Sequence, residues 1–165
     1  MSQAMKLQEL RTRFEPLLRR SFHLYWRFAR GMTLGVRAVV LDAEDRVFLV
    51  RHSYVAGWHL PGGGVEAGET FLDALRRELD EEGSIEVLGQ PVLHGLFFNG
   101  HVSGRDHVAV YLIRDFRQDR LPEPNREIVA CGFFEPSALP ADTTAGTRLR
   151  IAEVLEGRAL SETWR

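Results

Sequence analysis

Three glutamates, Glu78, Glu81 and Glu82, fall within Arg76-Arg77-Glu78-Leu79-Asp80-Glu81-Glu82. On a helix, positions three and four apart are neighbours, so these side chains converge on one flank. Phe71, Leu72, Leu75 and Leu79 form an apolar stripe on the same helix, and Asp73, Arg76 and Asp80 lie opposite it. The glutamates border the stripe, with Glu82 almost on it. Like charges at that spacing repel, and carboxylates near a core lose hydration, so both effects oppose ionisation. A hard divalent cation, Mg²⁺ or alternatively Mn²⁺, removes both penalties, with water and substrate phosphate completing its shell. Taken alone, Arg77 to Glu82 reads far more readily as an acidic, solvated helix face than as a metal site. The residues ahead of it decide between the two.

A short apolar strand end, Trp58 to Leu60, breaks at Pro61, and Gly62, Gly63 and Gly64 let the backbone turn. Glu66, Gly68 and Glu69 follow. Thr70 then caps a helix, with Asp73 reaching back to it, and the helix runs to about Glu82 and stops at Gly83. Together these residues resemble the signature of the Nudix hydrolases, G-x5-E-x7-R-E-U-x-E-E-x-G-U, with U bulky and apolar. Gly63, Glu69, Arg77, Glu78, Leu79, Glu81, Glu82 and Ile85 match at the right spacing, and Ser84 stands where the late glycine belongs. Because Gly83 sits one place earlier, Ser84→Gly is expected to change stability little.

The resemblance implies an α/β fold, an α/β/α sandwich around a mixed sheet, over roughly residues 32 to 156. It implies Glu78, Glu81 and Glu82 as metal-binding and water-activating carboxylates, with a backbone carbonyl of Gly62 or Gly63 as a further ligand. It implies Arg77 and Glu69 as the pair that orients them. The activity implied is Mg²⁺-dependent hydrolysis of a phosphoanhydride bond in a nucleoside diphosphate linked to another moiety: a nucleotide sugar, a dinucleotide or a nucleoside triphosphate. Glu78 and Glu82 rank highest as catalytic groups, without deciding which is the base. Glu127, shortly before Phe133 and Phe134, sits where many Nudix proteins present another catalytic glutamate, although a plain charge at a strand start accounts for it equally. The alternative is a nucleotide-sensing module of the same fold, which generally loses box glutamates. An isomerase of allylic diphosphates would need an acidic cysteine, and Cys131, inside a late strand, is poorly placed for that. Between Val92 and Arg105 there is neither the proline of some ADP-ribose-cleaving members nor the tyrosine of some dinucleoside-polyphosphate-cleaving ones.

The elements that must position these groups come from the rest of the 165 residues, of which 44% are hydrophobic and 27% charged. That composition is ordinary for a soluble globular domain. The net charge of −2 predicts a small-molecule partner and no nucleic acid. Cys131 is the single cysteine, which suits a reducing cytoplasm, and there is no apolar run of membrane-spanning length. Residues 1–31 are expected to be an N-terminal helical extension, and residues 32–165 the catalytic domain. Residues 1–37 hold eight basic residues against two acidic ones, and Leu7, Leu10, Phe14, Leu17, Leu24 and Phe28 recur at helical spacing. Such a stripe fits packing on the domain or on a second subunit, as in a homodimer, better than lying on a membrane.

From Leu34 onward the pattern turns to strands. Gly35–Asp42 and Arg46–His52 are expected to pair as a hairpin across Ala43-Glu44-Asp45. Ile85–Leu88, Val92–Phe98, His107–Arg114 and Glu127–Phe134 read as further strands, Arg114–Asn125 as a surface loop and Thr143–Leu155 as a final helix. A mixed sheet with helices on both faces follows. Arg51, on the strand before the glycine turn, is a candidate for binding substrate phosphate, since arginine suits bidentate phosphate contact, although a solvent-facing strand residue is slightly the better account of it. His101, Arg105, Asp106 and His107 lack a cysteine or a serine triad geometry and read as loop solvation. Tyr54 and Trp58 could stack on a base, although a tryptophan beside a turn usually packs.

Overall fold

A computed structural model describes residues 31–164. The helical extension expected over residues 1–31 lies, but for its last residue, outside the described residues. The described strands are β1 (Thr33–Val40), β2 (Val47–His52), β3 (Glu86–Val87), β4 (Val92–Phe98), β5 (Asp106–Ile113), β6 (Phe116–Arg117) and β7 (Ile128–Phe134). Helix α1 spans Phe71–Gly83, helix α2 spans Ala145–Glu156, and a 3-10 turn occupies Pro136–Ala138.

β1 runs parallel to β5, and β4 runs antiparallel to β5, giving a mixed sheet in the order β1-β5-β4. β2 pairs antiparallel with β7 in a second ladder, and β3 pairs with β6. The expected β1–β2 ladder therefore does not form; among the described residues the two segments are joined at the turn, by the Leu41–Val47 bridge and the bond from the Asp42 amide to the Arg46 carbonyl at 3.1 Å. The turn itself forms: the Asp42 carboxylate accepts from the backbone of Glu44 and Arg46, and Asp45 takes φ 60°. The strands separate because both are buried on alternate faces. Such strands lie between layers, unlike a hairpin with one wet face. The segment expected as a plain loop after Arg114 also supplies β6.

Two cores result. Val36, Ala38 and Val40 of β1 and Phe48 and Val50 of β2 pack with Ala74, Leu75 and Leu79 of α1. Val39 and Leu41, with Val47 and Leu49, face the other way and meet Ile151 of α2. The strand period of two thus sends neighbouring residues to opposite helices, and the α/β/α sandwich follows.

The glycine-rich segment is stitched to both ladders. His59 exchanges backbone bonds with Val50 of β2, at 2.9 and 3.0 Å. The carbonyls of Pro61 and Gly63 accept from Ala38 and Val36 of β1, and Val65 donates to Leu34. Gly62 takes φ +135°, and a Cβ there would fall 2.9 Å from the Cα of Arg37. Only glycine can lie so close to β1.

Candidate active site

Thr70 caps α1 in a full capping box with Asp73, which fixes where the helix begins beside the glycine segment. The helix ends one residue later than the sequence suggests. Gly83 is still helical and buried, where a Cβ would meet the Phe48 ring at 2.9 Å. The left-handed residue is Ser84, at φ 50° and ψ 40°. Gly83 is thus a packing glycine and does not relieve Ser84, so the expectation for Ser84→Gly is corrected: glycine there removes strain.

On α1, Glu78 and Glu82 are one turn apart and both line a cleft of about 910 Å³. Gly62 and Gly63 line the same cleft. A Cβ at Gly63 would overlap the Glu78 carboxylate, so these two groups are in close contact. Glu78 is held from behind by Arg77, whose Nη1 donates to its Oε1 at 2.7 Å. Arg77 also grips Glu69 through two bonds, Nε to Oε1 at 2.9 Å and Nη2 to Oε2 at 3.1 Å, and reaches the Gly64 carbonyl at 3.1 Å. This fork ties the glycine segment to the helix. Hydrogen bonding to Arg77 brings the Glu69 carboxyl down to about 2.

Glu82 is buried, with 4% of its surface exposed. Its Oε2 accepts from the Gly62 amide at 2.7 Å, and its Oε1 lies 3.4 Å from Nε2 of the buried His52. Loss of hydration pushes its carboxyl up to about 7, outweighing the Gly62 bond and Arg37, while Glu78 and Glu127 push it the same way as burial. Burial, with Arg37 and His59 nearby, brings His52 down to about 4, so the imidazole is neutral at pH 7. Glu81, the third box glutamate, points outward; its side chain is 60% exposed and its Oε2 stands 3.6 Å from Arg77.

Glu127, just before β7, comes to the same cleft and accepts from the Tyr54 hydroxyl at 3.2 Å. Tyr54 is exposed and its ring lies 5.1 Å from that of His52. Arg51 does not line the cleft. Strand alternation turns it away from buried His52, and it stands exposed, 3.7 Å from Asp142. The arginine that does line the cleft is Arg37 of β1, which sequence reasoning missed. Its Nη1 donates to the Leu60 carbonyl at 3.0 Å and to that of Gly62. The signal was a charge within an otherwise apolar strand, a position that usually has a partner. His52, in an apolar run of the same kind, gave a similar signal.

Of the histidine-rich loop, His101 and Asp106 line the cleft, so solvation is not their whole account. Asp106 is held by Thr33 at 2.7 Å and by Asn99 at 2.6 Å. Trp58 packs edge-on against Phe134 in the second core. Cys131 lies in β7 opposite Val50, and burial raises its thiol.

As they stand, no three of the described His, Cys, Asp and Glu side chains are grouped to hold an ion by themselves. The donor set nonetheless suits Mg²⁺, which takes one or two carboxylates and leaves its other positions to water and phosphate. Glu78 and Glu82 would supply those carboxylates, and the Gly63 carbonyl, which accepts one bond at 2.9 Å from Val36, retains a lone pair. The contact between Gly63 and Glu78, which leaves no room for a Cβ, brings that carbonyl's residue against the carboxylate. Among the described residues, no helix is long and apolar enough to cross a membrane.

A sequence profile described as the NUDIX domain matches residues 31–154. The RNA pyrophosphohydrolase of Legionella pneumophila is 41% identical over 64 residues, covering 36% of this chain and 37% of that protein. The m7GpppN-mRNA hydrolase NUDT17 of Xenopus laevis is 31% identical over 126 residues, covering 64% of this chain and 42% of that protein. The matched part thus spans well under half the length of these curated relatives. Among solved structures, a MutT NUDIX hydrolase from Burkholderia pseudomallei superposes with TM-score 0.64 at 27% identity, covering 74% of this chain and 97% of that one. An ADP-ribose pyrophosphatase from Streptococcus suis gives TM-score 0.60 at 28% identity, covering 81% and 96%. Relatives named for RNA remove the support for excluding nucleic acid. Net charge sums the whole surface, whereas a cleft responds to the groups that line it.

Proposed function

The chain belongs to the Nudix family, and from that premise we propose that it hydrolyses a phosphoanhydride bond in a nucleoside diphosphate derivative, with Mg²⁺ as cofactor. The nucleotide is either free or the 5′ end of an RNA, since both present the same diphosphate to the cleft. The observation that carries this reading is the meeting of Glu78, Glu82 and Glu127 with Arg37 in one cleft beside the glycine segment.

Glu78 and Glu82 would hold the ion, with the Gly63 carbonyl beside them. When bound, the ion neutralises the diphosphate and the charge that develops on the leaving phosphate. Arg77 and Glu69 keep Glu78 aimed at the glycine segment, and the Gly62 amide and His52 keep Glu82 in place. Arg37 spends only Nη1 on backbone carbonyls. Its remaining N–H groups are available to a phosphate oxygen.

Glu127 is the proton acceptor. Its Oε1 takes the Tyr54 bond, while no described donor reaches its Oε2. Water oxygen bonds to one phosphorus, the bridging P–O bond breaks with its electron pair leaving on the other phosphate, and the water proton passes to Glu127. Glu81, facing solvent, contributes charge near Arg77. The experiment is release of nucleoside monophosphate, phosphate or pyrophosphate from nucleotide sugars, dinucleotides, triphosphates and 5′-triphosphorylated RNA, with and without Mg²⁺. Cleavage that needs Mg²⁺ and falls about a hundredfold in Glu78→Gln supports the reading. Nucleotide binding with no cleavage of any of them favours the sensing module instead.

A further inference from the structure

The C-terminal segment adds to the cleft a lining residue that the glycine segment, α1 and the strands do not supply. α2 ends at Gly157 in the left-handed conformation, at φ 66°, and the chain turns back. It then runs along the open edge of β4: Phe98 donates to Glu162 and Trp164 donates to Phe98, both at 3.0 Å. Phe98 and Thr163 form a parallel bridge.

Buried charge fastens this strap. The side chains of Arg150 and Glu153 are both fully buried and pair at 2.8 Å. Glu153 also accepts from the Ser161 amide at 3.0 Å and lies 3.1 Å from His94 on β4. Arg150 reaches the Thr163 carbonyl at 3.3 Å, and its guanidinium lies 3.7 Å above the Phe97 ring. Removing two charges from water is costly, and an apolar pair would fill the space as well. What this pair does that an apolar pair could not is hold two backbone groups of the strap.

The strap ends by seating Trp164. Its indole lies edge-on to Phe97 at 6.3 Å, and a Cβ at Gly146 would stand 2.5 Å from its Nε1. Trp164 is half-buried and lines the cleft. Gly35 of β1, Val108 of β5 and Asn99 just after β4 also line it. Crossing from β1 to β5, β4 and the strap takes three strand spacings, about 14 Å. Of the cleft's other aromatic groups, Tyr54 is bonded to Glu127 and belongs to the carboxylate end.

We propose that Trp164 is a specificity-determining residue, a stacking wall for the nucleobase of a nucleotide whose phosphates lie at Glu78, Glu82 and Arg37. This rests on the hydrolase reading above. Stacking on an indole face tolerates any base, so Trp164 sets affinity for nucleotides over base-free polyphosphates without choosing one base.

The test uses the full chain with Trp164→Leu, which keeps an apolar side chain on Gly146 and Phe97, and Trp164→Phe, which keeps an aromatic face. With the best-cleaved nucleotide of the panel, Trp164→Leu should raise KM about tenfold, leave kcat within about threefold and leave the melting temperature near the parent's, and Trp164→Phe should recover most of the affinity. An unchanged KM, or a fall in kcat and melting temperature together, overturns the proposal and makes Trp164 a packing residue. If the parent cleaves nothing, calorimetric titration with GTP and ADP-ribose in Mg²⁺ separates the two readings. Weaker binding by Trp164→Leu then keeps the stacking wall while the hydrolase reading fails. Equal affinity in both proteins, or no binding by the parent, overturns the wall.

Discussion

Replacing Glu82 by glutamine should stabilise the metal-free protein while abolishing its chemistry. Burial pushes the Glu82 carboxyl from its ordinary 4.5 to about 7. The folded state therefore binds this proton more tightly than the unfolded state. The stability this contributes is complete below pH 4.5 and is lost as pH rises through 7. At 1.36 kcal/mol per tenfold, the loss by pH 9 is about 3 kcal/mol. Glutamine has no such loss, and its amide oxygen still accepts from the Gly62 amide that now bonds Oε2. His52 works in the opposite direction. Its lowered value means its contribution is present above pH 6.5 and lost as pH falls through 4, but both proteins carry it. Thermal melting in EDTA at pH 5 and pH 9 isolates Glu82 in the difference between parent and variant. Near pH 5 the two should melt close together, and at pH 9 the variant should melt higher, by about 10 °C for the full effect. With saturating Mg²⁺ the same variant should turn over about a hundredfold more slowly. A melting difference that is the same at both pH values would refute the argument that burial of charge is what strains this site. Full activity with Mg²⁺ would remove Glu82 from the machinery.

Other expectations follow from single contacts. Ser84→Gly should raise stability by about 1 kcal/mol, read from chemical denaturation, with turnover intact, because Ser84 holds the left-handed position that glycine adopts freely. Gly63→Ala should cut turnover about a hundredfold, since its Cβ would displace the Glu78 carboxylate; unchanged kcat would show that Glu78 is not needed there. Arg77→Lys loses the two-pronged grip on Glu69 and should cost about ten- to a hundredfold in kcat or Mg²⁺ affinity. Arg150→Met leaves Glu153 buried without its partner and should cost about 3–5 kcal/mol in a denaturant titration.

The sequence by itself determined the helix that carries the glutamates. Its start lies in Thr70 and Asp73, its buried face in Leu75 and Leu79, and its link to the glycine turn in Glu69 and Arg77. The cap and the buried face are local, set by spacings of three and four residues along one chain segment, and the Glu69–Arg77 pair was implied by the resemblance to the Nudix signature. Most strand positions were legible for the same reason, since alternation or burial shows in a few consecutive residues. Partners of strands were not. β1 and β2 are neighbours in sequence and look like a hairpin, yet each bonds to a strand much further along the chain, because burial on both faces favours interior positions that no local pattern specifies. The same distance hid Arg37, His52 and Trp164. Each belongs to the cleft only because strands or a strap from separate parts of the chain lie side by side. Tertiary structure also divided the three glutamates. Spacing placed Glu78, Glu81 and Glu82 together, but packing buries Glu82, aims Glu78 at Gly63 and leaves Glu81 in solvent. Ser84 carries the same lesson in reverse: the sequence offered Gly83 as the helix exit, and packing against Phe48 had already claimed it.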